Sequence, residues 1–296
     1  MHRWSLIGSV VLVFGSAVVR ADGVCIRGSK HSSHVGLDAT SGRFCFEPGG
    51  LACYAVNLQT GAVTTEQAPA GSDRPQVTAA PDAPKVTEAE ADVTVCHHDG
   101  SACRKLVPKG IVDPGLGLVS AVNRSGTLAA FGTQAPHRQS QVETFDVATG
   151  KHLATFKLPI KGGMCMFLAF AGDTLDITQS ECGTPGGTEW LATKTGKKIA
   201  PLGGNSPINS NSPPVHVSGN TYAFAPATGE VVVLQDVVTG KVVQRIAVDK
   251  AAGSDSATLV GDAMHLVLVH AGARAGDLVI IDVATGKITR FPAKRC

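Results

Sequence analysis

The seven residues FDVATGK at 145–151 return as IDVATGK at 281–287 and, slightly altered, as QDVVTGK at 235–241. Aligned on their Thr-Gly, five related stretches run along the chain: NLQTGAV (57–63), DVATGKH (146–152), ATKTGKK (192–198), DVVTGKV (236–242) and DVATGKI (282–288). The glycines Gly150, Gly196, Gly240 and Gly286 are spaced by about 45 residues, the mark of a repeat architecture. The interval from Gly61 to Gly150 is about double, and Gly100 of CHHDGSAC sits inside it as a degenerate member. A second series alternates with the first: AVNRSGTLAAF (121–131), FLAFAGDTLDI (167–177), VHVSGNTYAFA (215–225) and TLVGDAMHLVL (258–268) each place apolar stretches on both sides of a Gly-containing turn. Each period therefore reads as four short strands joined by tight turns.

The residue types explain the motif. Apolar residues before the acid extend a strand, and the side chains of Asp146, Asp236 and Asp282 can accept bonds from backbone N–H groups just ahead. Gly150, Gly196, Gly240 and Gly286 supply the positive φ that closes the turn, and the Lys that follows leaves with its charge in water. In the first and third copies Asn57 and Ala192 stand in the Asp position. These acids are expected to form turns, not to catalyse.

Four-stranded units of this period, arranged radially, describe an all-β fold, a single β-propeller. Removing 21 residues from 296 and dividing by about 45 gives six blades, placed at 24–67, 68–108, 109–159, 160–205, 206–250 and 251–296. Residues 67–92 are rich in Ala, Pro and acids and read as a flexible insertion, or as the place where an unrecognised unit would make seven blades. The 21 residues set aside begin with His2 and Arg3, continue through an apolar run from Leu6 to Val19 and end at Ala21, the pattern of a cleaved export signal. That run is shorter than the ~20 residues a membrane span needs, so no transmembrane anchor is expected after cleavage. Without the leader, Lys plus Arg falls from 26 to 24 against 24 Asp plus Glu, a neutral balance unsuited to nucleic acid.

Eight cysteines in an exported chain imply disulfides. Cys96 and Cys103 flank Asp99-Gly100, a hairpin dipeptide, and are expected to face each other. Cys165 and Cys182 are equidistant from Asp173-Thr174, and Cys45 and Cys53 straddle Gly49. Cys25 and Cys296 remain, one near each end, where a bond would staple last blade to first. Free buried thiols or metal ligands are the alternative for some of them, although no CxxC pair occurs.

The D-x-x-T-G-K turn after an apolar strand resembles the repeat of quinoprotein-like and YVTN-type bacterial propellers, over 109–296 well and over 24–108 poorly. That family includes quinone-dependent dehydrogenases and exported members that act as scaffolds. This chain has no adjacent Cys-Cys pair, and where the enzyme repeat closes on tryptophan it carries Phe156, Pro201, Ile246 and Phe291 or their neighbours. Trp190 precedes its Thr-Gly turn.

Other candidates are weaker. His31 and His34 in HSSH fall in an irregular stretch; His97 and His98, adjacent on a strand, would point to opposite faces. Asp113, Asp176 and Glu181 are carboxylates that a channel mouth could use for calcium or acid–base chemistry, though solvated loops are commoner. Residues 205–215 (NSPINSNSPPV) read as an exposed loop, and Asn123-Arg124-Ser125 as a glycosylation sequon at a hairpin turn. The expectation is an exported, monomeric, non-catalytic module without cofactor that binds a protein or envelope component. The alternative is a propeller enzyme, a metal-dependent lyase or hydrolase or a quinone-dependent oxidoreductase, with calcium, another divalent ion or a quinone at the channel mouth.

Overall fold

The computed structural model describes residues 19–20, 24–26, 35–38, 43–46, 52–56, 62–67, 83–89, 92–110, 118–133, 139–161, 164–181, 187–201, 214–225, 229–249, 256–271 and 275–295. Among them every regular element is a strand, so no helix is long and apolar enough to cross a membrane. After β1 (Val19–Arg20) and β2 (Val24–Ile26) come β3 (Val35–Asp38), β4 (Arg43–Phe46), β5 (Ala52–Val56) and β6 (Val63–Gln67), which form the first antiparallel sheet in the order β3-β4-β5-β6. The second sheet is three-stranded: β7 (Lys85–Glu88), β8 (Val93–Cys96), β9 (Arg104–Leu106). The third contains β10 (Leu118–Val122), β11 (Leu128–Thr133), β12 (Gln139–Asp146) and β13 (His152–Lys161), and the fourth β14 (Met164–Ala171), β15 (Thr174–Glu181), β16 (Gly187–Ala192) and β17 (Lys198–Pro201). The fifth is β18 (Val215–Ser218), β19 (Thr221–Phe224), β20 (Val231–Asp236) and β21 (Val242–Ala247). The last joins β22 (Ser256–Gly261), β23 (His265–Ala271), β24 (Ala275–Asp282) and β25 (Ile288–Arg295) to β1 and β2.

In the fifth sheet burial peaks at the third strand and is low at both flanks, β18 burying only Val217. There β20 has Val232, Val233, Leu234 and Gln235 buried in succession, packed on both faces, while β21 exposes Val243, Gln244 and Arg245. Side chains of one sheet interlock with those of the next. Leu175 and Ile177 pack with Ala130, Val142 and Leu158 of the third sheet, and Val232 and Leu234 with Leu259, Leu266 and Val279 of the last. Each such fully buried aliphatic chain contributes about 1.5–3 kcal/mol. Stacked four-stranded sheets of this kind make the chain a β-propeller, as the repeat predicts.

Three findings depart from the sequence reading. Residues 24–26, assigned to the first unit, instead pair in parallel with β25: Val24 lies opposite Ala293 and Ile26 opposite Arg295. The ring's ends are thus joined by backbone hydrogen bonds; Cys25 stands opposite Lys294, and Cys296 lies outside the described residues. β1 also pairs with β25 and falls within the 21 residues that the leader reading removes, whereas β2 falls beyond them. Secondly, the hairpin of the fourth sheet turns on Gly172-Asp173, because Gly172 supplies the positive φ (62°) and Ala171 pairs with Thr174. Cys165 therefore stands opposite Ser180, two residues out of step with Cys182, which lies outside the described residues. Cys45 does stand directly opposite Cys53.

Thirdly, the Cys96–Cys103 disulfide is present, but its loop is not a two-residue Asp-Gly turn. Gly100 N–H donates to the His97 carbonyl and His97 N–H to the Ser101 carbonyl, so His98-Asp99 are the central residues and Gly100 takes the left-handed position (φ 86°). Ala102, at φ 49° the only described non-glycine with positive φ, then inserts as a bulge and brings the cysteines back into opposition. The 67–92 stretch falls largely outside the described residues, but the whole of β7 lies within it, so that part is a strand of the second sheet.

Candidate functional site

The two turn series lie along one edge of each sheet. Asp146 shows how the motif works. Its Oδ1 accepts from Thr149 N–H at 2.8 Å and from the Thr149 hydroxyl at 2.6 Å, while the Asp146 N–H bonds the Lys151 carbonyl at 2.9 Å. Asp282 repeats this with Thr285, and Asp236 accepts from the N–H groups of Val238 and Thr239. Hydrogen bonds from these threonines hold all three carboxyls below the usual aspartate range. The third copy is one residue tighter. Thr193, not Ala192, starts it: Thr193 N–H bonds the Lys197 carbonyl, and the Thr193 hydroxyl accepts from Lys197 N–H at 3.1 Å. Ala192 pairs with Lys198 just past a bulge, as Phe145 pairs with His152, so it matches the residue before the Asp and Thr193 takes the Asp position.

Three of the motif turns are tied to the neighbouring hairpin of their own sheet. Val147, Val237 and Val283 donate their N–H groups to the carbonyls of Thr127, Asn220 and Met264. Ties also run between sheets: Arg104 Nη2 to the Ala148 carbonyl, Thr144 Oγ1 to the Lys194 carbonyl, Thr174 Oγ1 to the Val237 carbonyl. A Cβ on Gly196 would meet the Phe156 ring at 2.5 Å, and one on Gly240 would meet Ala200 at 2.6 Å, so each glycine also lets its turn press on the outer strand of the preceding sheet. Gly150 rests in the same way on Arg104 of β9. By that correspondence β9 is an outer strand and the Gly100 loop occupies the place of a motif turn in its sheet. The ladder also carries a bulge the sequence does not announce. In three sheets the register slips by one residue just before the motif, leaving Leu153, Ile199 and Val243 as the extra residues.

Asn123 is the hub of this edge. It is almost wholly buried; Oδ1 accepts from the N–H groups of Thr127 and Leu128, and Nδ2 donates to Thr127 Oγ1 and, across to the fourth sheet, to Asp173 Oδ1 at 3.0 Å. With both ends of the amide engaged, the sequon is not an accessible glycan acceptor in the folded chain. The surface of the edge is polar apart from a few apolar side chains in water: Val238 is 59% exposed and Met264 54%. Lys151, Lys197, Lys241 and Lys287 are exposed beside the turns.

The other candidates do not converge. His97 and His98 lie in the Cys96–Cys103 loop instead of on a strand, exposed, with their rings 6.4 Å apart and nearly parallel. His31, His34, Asp113 and residues 205–213 lie outside the described residues. Among the described residues no three His, Cys, Asp or Glu side chains gather as a metal cluster. Asp176 is not at a loop but wholly buried in β15, and its carboxyl partner is Glu189 of β16, a residue the sequence reading did not single out. Burial raises both carboxyls; for Glu189 the charge of Asp176 adds to the effect. A third buried acid, Glu143 in β12, accepts from Lys109 N–H at 3.0 Å and from Gly110 N–H, with His152 Nε2 3.4 Å away.

No protein-family model matches the sequence, and no curated protein matches it. Solved structures do match in shape. BamB from Moraxella catarrhalis, a β-propeller, superposes with a TM-score of 0.51 at 16% identity, over 70% of this chain. This chain spans 61% of BamB's length. KlHsv2 with loop 6CD replaced by a Gly-Ser linker gives a TM-score of 0.45 at 10% identity, covering 90% of this chain and 98% of that one. The dihydro-heme d1 dehydrogenase NirN, in complex with DHE, gives 0.45 at 13% identity over 89% of this chain and 58% of its own. At these identities the BamB likeness speaks to the fold alone.

Proposed function

We propose that this chain is an exported, non-catalytic propeller that works as a binding platform, docking a protein of the cell envelope on the edge formed by its two turn series. The observation that carries the reading is the way that edge is built. Each of the four described motif turns is closed by its own Asp or Thr side chain; the turns at Val147, Val237 and Val283 are tied to the adjacent hairpin, and those at Ala148, Lys194 and Val237 to the preceding sheet. A surface fixed in this way before binding loses little conformational freedom on association, the general source of affinity in preorganised binders. Val238 and Met264, apolar and more than half exposed, stand on that edge as contact points. The turn acids are committed to their own backbones, which fits display better than acid–base work. Export rests on the basic start, apolar run and small residue at the N-terminus and on the Cys96–Cys103 bond, which an oxidising compartment would form and keep.

The test is site-specific photocrosslinking in the native host. A crosslinking residue is placed at Ala148, Val238 or Ala284, the exposed third residue of three motif turns, and as controls at Lys157 and Gln244 on outer strands. The reading expects one common adduct from the turn positions and none from the controls. Adducts only from the controls, or none from any turn position in cells where the protein is functional, would refute it.

A further inference from the structure

We propose that the seam between the fourth and fifth sheets holds one oxygen-seeking divalent cation of the calcium type, ligated by Asp176 and Glu189 with Thr178 and Gln235. The placement follows from strand geometry. Leu175 and Ile177 face the third sheet, so Thr174, Asp176 and Thr178 face the fifth, and the Thr174 bond to the Val237 carbonyl fixes their height. Val232 and Leu234 face the last sheet, which leaves Val233 and Gln235 facing the fourth. Two residues up from the Thr174–Val237 contact on each strand, Asp176 and Gln235 come to the same level. Thr178 is the direct cross-strand partner of Glu189, so hydroxyl and carboxyl stand side by side next to Asp176.

The chemistry of this group is one-sided. Asp176 Oδ1 and Oδ2, Thr178 Oγ1 and Gln235 Oε1 are all buried, and apart from the Glu189 carboxyl beside Asp176 none has a hydrogen-bond partner. The amide nitrogen of Gln235 is already committed to the Gly240 carbonyl, so its oxygen is the end left over. The Glu189 carboxyl is within bonding reach of Asp176, yet two carboxyls bond each other only if one keeps a proton, and a single proton satisfies a single oxygen. An acceptor-rich group of this kind, walled by Ala171, Leu191, Phe224 and Val237, calls for positive charge with several bonding directions. Two carboxylates balance a divalent ion. The set is oxygen only, which disfavours zinc, and calcium accepts about six to eight such oxygens in irregular geometry where magnesium insists on an octahedron and its own waters. The ion would pin one blade to the next.

The experiment uses the full chain, stripped with a chelator and then titrated with calcium chloride. Metal content is read by elemental analysis and stability by thermal unfolding. The proposal expects one calcium per chain and a rise in Tm of about 5 °C at saturation, both absent in Asp176→Asn/Glu189→Gln. Should that variant fail to fold, terbium replaces calcium in the unaltered protein. Trp190, next to Glu189 in β16, would sensitise its emission, and calcium would quench it. Calcium raising Tm equally in the variant would overturn the proposal by placing the ion elsewhere. So would a wild-type Tm indifferent to calcium together with no sensitised terbium emission, the result a shared proton would give.

Discussion

Replacing Asn123 with Asp changes a single atom's identity at the hub of the turn edge and should be costly. The new carboxylate can still accept from Thr127 and Leu128, but its second oxygen faces Asp173 Oδ1 at 3.0 Å, where Asn123 donates. Losing a hydrogen bond to a charged acceptor costs about 1.5–3 kcal/mol. Two unit charges at that distance repel by about 1.4 kcal/mol at the permittivity of water and about 5.5 at an effective value of 20. Asp173 is exposed, so the lower end governs and about 2 kcal/mol is a fair figure. Together Asn123→Asp should destabilise by about 4 kcal/mol, on the order of 10 °C in Tm. The assay is urea and thermal unfolding at pH 8, where the new acid is ionised. The second arm adds Asp173→Asn, which reverses donor and acceptor and should return about half the loss or more. A cost under about 0.5 kcal/mol for the single variant, or no recovery in the double, would refute the account of Asn123 as the link between the third and fourth sheets.

Three further outcomes follow from the turns and the disulfide. Gly196→Ala combines a left-handed φ with a Cβ 2.5 Å from Phe156 and should cost well over 2 kcal/mol, whereas Gly219→Ala, also left-handed but with nothing within 4 Å, should cost about 1; equal effects in chemical unfolding would remove the packing role. The depressed folded pKa values of Asp146, Asp236 and Asp282 mean their turn bonds stabilise fully above the unfolded value of about 4 and are lost as pH falls through the folded values. The triple Asp→Asn variant should therefore show a flatter fall in Tm between about pH 5 and 2, and an unchanged acid limb would contradict this. Non-reducing peptide mapping should recover Cys96 joined to Cys103, and Cys96→Ser/Cys103→Ser should lose about 2.5 kcal/mol from closure of so short a loop; free thiols at both positions would remove both expectations.

What could be read from the chain in advance was what is written in specific residue types. Positive φ demands glycine and a closing side chain demands Asp or Thr, so the turns announce themselves at Gly150, Gly240 and Gly286, and through them the period and the propeller. The bulges at Leu153, Ile199 and Val243 left no mark, because an extra strand residue on an outer edge can be almost any apolar or polar type. The register of the fourth sheet was misjudged by centring the hairpin on Asp173-Thr174 when the glycine beside them was the better signal. Glu189 was missed because it is brought to Asp176 only by strand pairing. The available hint was that each acid sits inside a strand beside apolar residues, Asp176 between Leu175 and Ile177 and Glu189 just before Trp190 and Leu191, where an acid has no turn to form.

The parallel pairing of β2 with β25 has a consequence for the order in which the molecule can be made. Val24 and Ala293 are hydrogen-bonded neighbours in space, yet nearly the whole chain lies between them. During synthesis β2 emerges early and must wait, an unpaired edge with no partner yet in existence. The intervening sheets can form one after another from local hairpins, but the circle stays open until the last strand arrives. Closure therefore acts as a check on length: a chain cut short anywhere before β25 can stack its sheets and still leave both ends exposed, in the form that proteases and chaperones recognise.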